Sequence, residues 1–382
     1  MSNNYHSLIP DFKRRIKELV RETPMDTEKL LALPYPYVVP GNDKVEALYY
    51  WDAYFINLGL IRMRMTEQAR HNVENLIFLL RHYGYVPASN QKSMLHHSHL
   101  PLLPWMVRDV YRATGDKEWL RRIINDVVKE FHFWTTKPHT TPAGLFRYFA
   151  GENAEWGPQK ATEAESGWID SPRFEDARNY NPIDLNAILY RNAKIIFDLQ
   201  IEALGKGDQK LLDKSEQIKK MVEMCWNEEE GFYYDNDFVN KRMSKVKTLA
   251  GFLPLFVEMI DENRAARMQK QLKSFACPGG LAITDHDYAG EPSIWNYPLV
   301  CAPYIYFVVK GLCDFDYMED AADIGTCWLN MVSEIYRETD NLWEWYNVKE
   351  KSIAEPRSIK NAALMGWTAG TYIALIDVLG LD

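Results

Sequence analysis

Apolar residues recur three and four positions apart along most of this 382-residue chain, and that spacing constrains its fold more than any other feature. The period lays a continuous apolar stripe along one side of a helix, whereas a half-buried strand needs alternation at every second position. The stripe runs through Leu58 to Met65, Val73 to Tyr83, Leu103 to Thr114, Trp119 to Trp134 and Ile183 to Leu204. It resumes in Leu211 to Trp226, Thr248 to Ile260, Tyr304 to Leu312, Ala322 to Arg337 and Ala362 to Leu379. Strand-like alternation is rare. The pattern predicts an all-α chain of about a dozen helices joined by alternating short turns and long loops, the layout of a two-layer ring of helical hairpins, an (α/α)6 barrel.

In such a ring the long loops gather at one end, so function is expected in Tyr37 to Asp52, Gly84 to Pro101, Gly144 to Tyr180 and Gly279 to Pro298, with Glu338 to Lys360 as a fifth stretch. The longest connection, residues 144–182, carries Glu152, Glu155, Glu163, Glu165, Asp170, Glu175 and Asp176. A loop of that length in a compact domain is usually functional or mobile, and solvation accounts for most of its carboxylates. With 47% apolar and 25% charged residues the chain can bury a large core, and residues 1–382 read as a single domain.

A net charge of −9 without a basic cluster argues against nucleic acid or an anionic membrane as partner. No apolar run is long enough to span a bilayer. The segment Met1 to Glu22 is polar and helix-like and lacks the apolar centre of a signal peptide, so a cytoplasmic protein is expected. Five scattered cysteines without a CxxC pair argue against a disulfide framework or a zinc ribbon, and buried free thiols are the default. The 12 Trp and 22 Tyr offer flat faces for sugar rings, with a large helical core as the competing use. The expected partner is a small, sugar-derived molecule; the sequence sets no oligomeric state.

Ordered motifs narrow this further. Val38-Val39-Pro40-Gly41 precedes Tyr49-Tyr50-Trp51-Asp52-Ala53-Tyr54-Phe55, and Gly84-Tyr85-Val86-Pro87 follows. Gly144-Leu145-Phe146-Arg147-Tyr148, Glu165-Ser166-Gly167-Trp168 with Ser171-Pro172-Arg173, and Pro182-Ile183-Asp184-Leu185-Asn186 come next. Trp295-Asn296-Tyr297-Pro298, Glu344-Trp345-Tyr346-Asn347-Val348 and Gly366-Trp367-Thr368 close the series. In this order, over nearly the whole chain, they resemble the trehalases, inverting glycoside hydrolases of the (α/α)6 clan. The clan also holds the glucosylglycerate and mannosylglycerate hydrolases, whose version of the Ser-Pro-Arg element is the nearer one.

The resemblance implies a hydrolase needing no cofactor or metal. Inversion requires a protonated carboxyl on the leaving oxygen and, about 6.5 to 9.5 Å away, a carboxylate that activates water. Glu344, set among Trp343, Trp345 and Tyr346, matches the general base. The family's acid should directly follow Trp168, where this chain has Ile169, which carries no proton to give. Asp170, one residue on, replaces it only if the backbone rotates locally, because neighbouring side chains in extended chain point opposite ways. Further departures put Ala88 and His97 where the family holds a sugar-binding Asn and Arg, and Asp43 or Lys44 where it holds another Arg.

The expected substrate contacts are Trp51, Asp52, His97, Arg147, Glu165, Trp168, Arg173, Asn186, Trp295, Tyr346 and Trp367. Asp184 and Asn186 equally suit capping of a helix that starts after Pro182, and Arg173 equally suits pairing with a loop carboxylate. His96, His97 and His99 form a compact group better suited to ligand hydrogen bonds or proton transfer than to metal binding, and Asp285-His286-Asp287 is a similar cluster or a solvated turn. The leading reading is a trehalase-like hydrolase of a small α-linked glucoside. Loss of the aspartate also fits a barrel turned to isomerisation, cyclisation or elimination through Glu344 and His, Asp or Tyr proton carriers, or a sugar-binding protein without turnover.

Overall fold

The computed structural model describes residues 4–41, 46–151, 156–290, 293–355, 361–363 and 366–381. Asp43, Lys44, Glu152 and Glu155, named above, lie outside the described residues.

The helices, in chain order, are α1 (Ile9–Glu18), α2 (Tyr50–Arg62), α3 (Thr66–Tyr83), α4 (Leu103–Thr114), α5 (Lys117–Thr135), α6 (Pro158–Ser166) and α7 (Ile183–Leu204). They continue with α8 (Gln209–Met221), α9 (Leu253–Phe256), α10 (Glu262–Gln269), α11 (Leu272–Phe275), α12 (Ala302–Asp314), α13 (Met318–Thr339) and α14 (Gly366–Val378). Strands among the described residues are two residues long and form small ribbons beside the loops.

Packing closes a ring. Helix α2 packs on α4, α4 on α7, α7 on α9, α9 on α12, α12 on α14, and α14 returns to α2. Outside it, α3 bridges α2 and α4, α5 bridges α4 and α7, and α8, α13 and α1 pack against α7, α12 and α14. This is the (α/α)6 barrel that the helical spacing predicts.

The two layers differ in sequence for a physical reason. An outer helix such as α5 buries one stripe (Trp119, Leu120, Ile123, Ile124, Val127, Phe131, Trp134) and wets the other side. An inner helix is covered all round, and every residue of α14 from Gly366 to Ile376 is buried. Backbones at the closing seam approach so closely that a Cβ on Gly59 would stand 2.7 Å from the Gly370 Cα, and one on Gly370 would overlap the Phe55 carbonyl.

Three expectations need correction. The loop expected from Tyr37 to Asp52 ends earlier, because Asp52 lies in the first turn of α2. The stretch Thr248 to Ile260 is a 3-10 turn (Leu249–Phe252) followed by the single-turn α9, not one continuous helix. The connection 144–182 contains α6, which starts at Pro158 and stops at Gly167 in the left-handed region (φ 78°).

Candidate active site

Inner helices α2, α12 and α14 begin at the same end of the ring, and their first turns carry Trp51 and Asp52, Tyr304, and Trp367. With the segment after α6 and the stretch before α14 they enclose a cavity of about 290 Å³. Its walls are mainly aromatic: Tyr49, Trp51, Trp168, Trp295, Tyr304, Trp345 and Trp367. Its ionisable lining groups include Asp52, Asp170, Glu344 and His99. A wider depression of about 800 Å³ lies between Tyr297, Pro298 and Leu299 on one side and Glu338, Asn347 and Ile353 on the other, with Tyr297 as its one aromatic among the described residues.

The aromatic wall is a stack with a charged foundation. Trp168 lies on Trp295 (centroids 4.4 Å apart, 30° between planes), and Trp295 meets the edge of Trp345 at 4.7 Å. Behind Trp168, at 4.6 Å from its ring, sits the Arg173 guanidinium. Arg173 makes paired bonds to Asp184 (2.6 and 2.9 Å) and to Asp235 (2.7 and 2.8 Å), with no exposed side-chain surface. Arg173 and Asp184 are therefore parts of the foundation, not cavity groups.

Glu344 is placed through its backbone. Its N–H donates to the Ala362 carbonyl (3.1 Å). The N–H of Trp345 donates to Asn361 Oδ1 (3.1 Å), and Asn361 Nδ2 donates back to the Trp345 carbonyl (2.8 Å). Tyr346, expected as a substrate contact, instead accepts the Trp343 N–H on its hydroxyl (2.9 Å), pairs with Val300 and Ile353 in a ribbon, and stays out of the cavity lining.

Glu165 is also an anchor. It is buried at the end of α6, accepting the N–H groups of Ser98 (3.2 Å) and Phe149 (2.6 Å), with His139 Nε2 at 3.6 Å. Burial alone would raise its pKa, but His139 and those N–H groups hold it below the usual carboxylate range. Thus α6 is tied to two other loops. At its end Gly167 must be glycine twice over, since its backbone is left-handed and a Cβ would stand 2.6 Å from the His99 ring. Ile169 and Asp170 then both reach the cavity, because Asp170 adopts φ 54° and turns the chain there. The Asp170 carbonyl accepts the Ser293 hydroxyl (2.8 Å), and its side chain is exposed.

Other expected contacts stand elsewhere. Asn186 clasps Phe146 through both backbone groups (2.9 Å each) and the Pro182 carbonyl (2.8 Å). Arg147 bonds the carbonyls of Pro138 (3.2 Å) and Arg178 (3.0 Å) and lies over Phe149. His97 is buried outside the cavity lining, with its ring 4.6 Å from His96 and 6.0 Å from Trp156, and burial pushes its pKa down to about 4. His99 is the histidine that lines the cavity: it faces Trp51 at 5.1 Å, its Nδ1 accepts the Leu100 N–H (2.8 Å), and burial depresses its pKa to about 3. Asp285-His286-Asp287 forms a turn in which Asp287 accepts the N–H groups of Ala289 (3.0 Å) and Gly290 (2.9 Å).

The sequence reading missed Tyr49 and Tyr304 as lining residues. Tyr49 opens the motif that runs to Phe55, and Tyr304 directly follows Pro303 at a helix start, which was the available signal. Among the described residues no group of three His, Cys, Asp or Glu is placed to hold a metal ion, and no helix is long and apolar enough to cross a membrane.

A cavity of stacked tryptophans with carboxylates at its rim suits a sugar, and known proteins bear on which kind. The trehalase family model matches residues 1–181 and 173–380. The periplasmic trehalase of Escherichia coli is 27% identical over 411 residues, covering 93% of this chain and 71% of its own. Neutral trehalase of Saccharomyces cerevisiae superposes with a TM-score of 0.80 at 22% identity, over 91% of this chain and 77% of that one. The mannosylglycerate hydrolase of Thermus thermophilus, solved with glucose, superposes at 0.75 with 16% identity, over 98% and 100%. By sequence the chain belongs to the trehalase family and is a trehalase-like glycoside hydrolase.

Proposed function

We propose that the cavity hydrolyses a small α-linked glucoside with inversion, Glu344 activating the attacking water and Asp170 protonating the departing oxygen. The observation that carries this reading is that both carboxylates line one aromatic-walled cavity. An inverting glycosidase needs two carboxyl groups on opposite faces of the sugar. The left-handed turn at Asp170 supplies the local rotation that makes replacement of the acid after Trp168 feasible. At about 290 Å³ the cavity sits at the small end of ligand sites, which run from roughly 300 to 1,000 Å³. That size favours a disaccharide or a glycoside with a short aglycone, in keeping with the substrates named for the Escherichia coli and Thermus thermophilus proteins.

The test is a kinetic panel of trehalose, glucosylglycerate and activated α-glucosides on wild type, Glu344→Gln and Asp170→Asn. Glu344→Gln is expected to lose turnover on every substrate. Asp170→Asn is expected to lose it on poor leaving groups and to retain much of it on an α-glucosyl fluoride, whose departure needs little protonation. Full turnover of Asp170→Asn on all substrates would remove Asp170 from the reaction. We place the protein in the cytoplasm on its unpaired cysteines, which suit a reducing compartment. The related Escherichia coli enzyme is periplasmic by name, and fractionation of the source cells decides between the two.

A further inference from the structure

We propose that Tyr304 is a substrate contact, its phenol donating a hydrogen bond to one hydroxyl oxygen of the sugar held against the Trp168–Trp295 wall. The inference rests on the cavity being the glycoside site. Tyr304 stands in the first turn of α12, follows Pro303, and lines the cavity. Its oxygen receives the Trp168 indole N–H at 2.9 Å. An indole nitrogen only donates, so the phenol is the acceptor in that bond and its own proton is left for a second partner. Among the described residues no acceptor takes it: Tyr148 lies nearby in the foundation, and its hydroxyl makes no bond to Tyr304.

The direction of that proton is restricted. Trp168 meets the Tyr304 ring edge-on at 5.2 Å, and Phe307 and Trp295 stand at 5.8 and 6.0 Å, so the ring has little room to turn. Burial, reinforced by the Asp184 carboxylate, pushes its pKa well above that of an ordinary phenol, which keeps the proton in place at any working pH. A buried donor with a fixed direction and an unfilled bond discriminates strongly in favour of a ligand that accepts it, because a ligand without an acceptor leaves the donor unsatisfied. Trp168 therefore both supports the sugar and aims the donor.

The test measures calorimetric binding of glucose and of 2-, 3-, 4- and 6-deoxyglucose to wild type and Tyr304→Phe, which keeps the ring. Wild type is expected to bind one deoxy sugar roughly 10- to 100-fold more weakly than glucose. Tyr304→Phe is expected to weaken glucose by a similar factor and to bind that one deoxy sugar as wild type does. Equal weakening of all the sugars by Tyr304→Phe, unchanged glucose binding, or no glucose binding by wild type would each overturn the proposal. Turnover of α-glucosides by wild type is read separately. Absence of hydrolysis with the deoxy pattern intact sinks the hydrolytic reading and keeps the contact; hydrolysis without the pattern does the reverse.

Discussion

Arg173 holds its charge out of water between two carboxylates, and its value lies in that geometry. A buried ion network of this kind adds little net stability compared with an apolar substitute, but losing one partner leaves the others uncompensated. Arg173→Met strands Asp184 and Asp235, and a loss of about 3 to 5 kcal/mol is expected, read as a lower urea midpoint at unchanged slope. Arg173→Lys restores the charge without the planar fork that serves both carboxylates, so it should recover only part of that loss. Glu344→Gln is the contrasting substitution. It should leave the urea midpoint near wild type and lower kcat/KM by roughly 10²- to 10⁴-fold. The motif residues were legible as a set, but their individual roles were not. A guanidinium fork fits a carboxylate of the protein as well as it fits a ligand, and the amide of Asn186 fits a backbone turn as well as a sugar hydroxyl. Orientation decides between these uses, and side-chain chemistry alone carries no orientation.

Amphipathic helices were readable because one wet face leaves a period in the sequence. Ile183–Leu204 shows this, its bounds agreeing with the apolar stripe at both ends. Helix α6 was hidden because it is nine residues long and contributes mainly Ala161, Thr162, Ala164, Glu165 and Ser166 to the interior, which leaves no large apolar stripe. Its Pro158 start and Gly167 stop were the readable marks. Glycines at close approaches are element-scale features too. Gly370→Val should force α14 away from α2, since the added atoms fall on the Phe55 backbone, which cannot give way as a flexible side chain would. Because this is the seam that closes the ring, several kcal/mol of destabilisation is expected. A thermal melt of Gly370→Val that matched wild type would show that the seam tolerates a wider spacing.

Across the whole molecule the two layers are also joined by a buried carboxyl. Glu130 of α5 accepts the Tyr50 hydroxyl from α2, and the Tyr50 oxygen accepts the Leu103 N–H at the start of α4 (2.7 Å). Burial raises the Glu130 pKa from 4.5 to about 8, so the folded protein holds this proton more tightly than the unfolded chain does. The stabilising contribution is therefore complete below pH 4.5 and declines as pH rises through about 8. Urea unfolding at pH 6 and pH 9 should show wild type losing a few kcal/mol that Glu130→Gln, uncharged throughout, does not lose. Equal pH dependence in the two proteins would mean that Glu130 is ionised in the fold. The ring itself was legible from the number and spacing of helices and from the order of the motifs. Which loops converge on the cavity, and that α6 carries Trp168 into it, depends on packing between residues far apart in the chain.

An inverting site is read most directly from the anomeric form of the sugar it releases first. Proton NMR of a fresh mixture of enzyme and an aryl α-glucoside should show β-glucose appearing ahead of mutarotation, with release slowed roughly 10²- to 10⁴-fold in Glu344→Gln. Release of α-glucose first, or unchanged release by Glu344→Gln, would contradict an inverting site with Glu344 as its base.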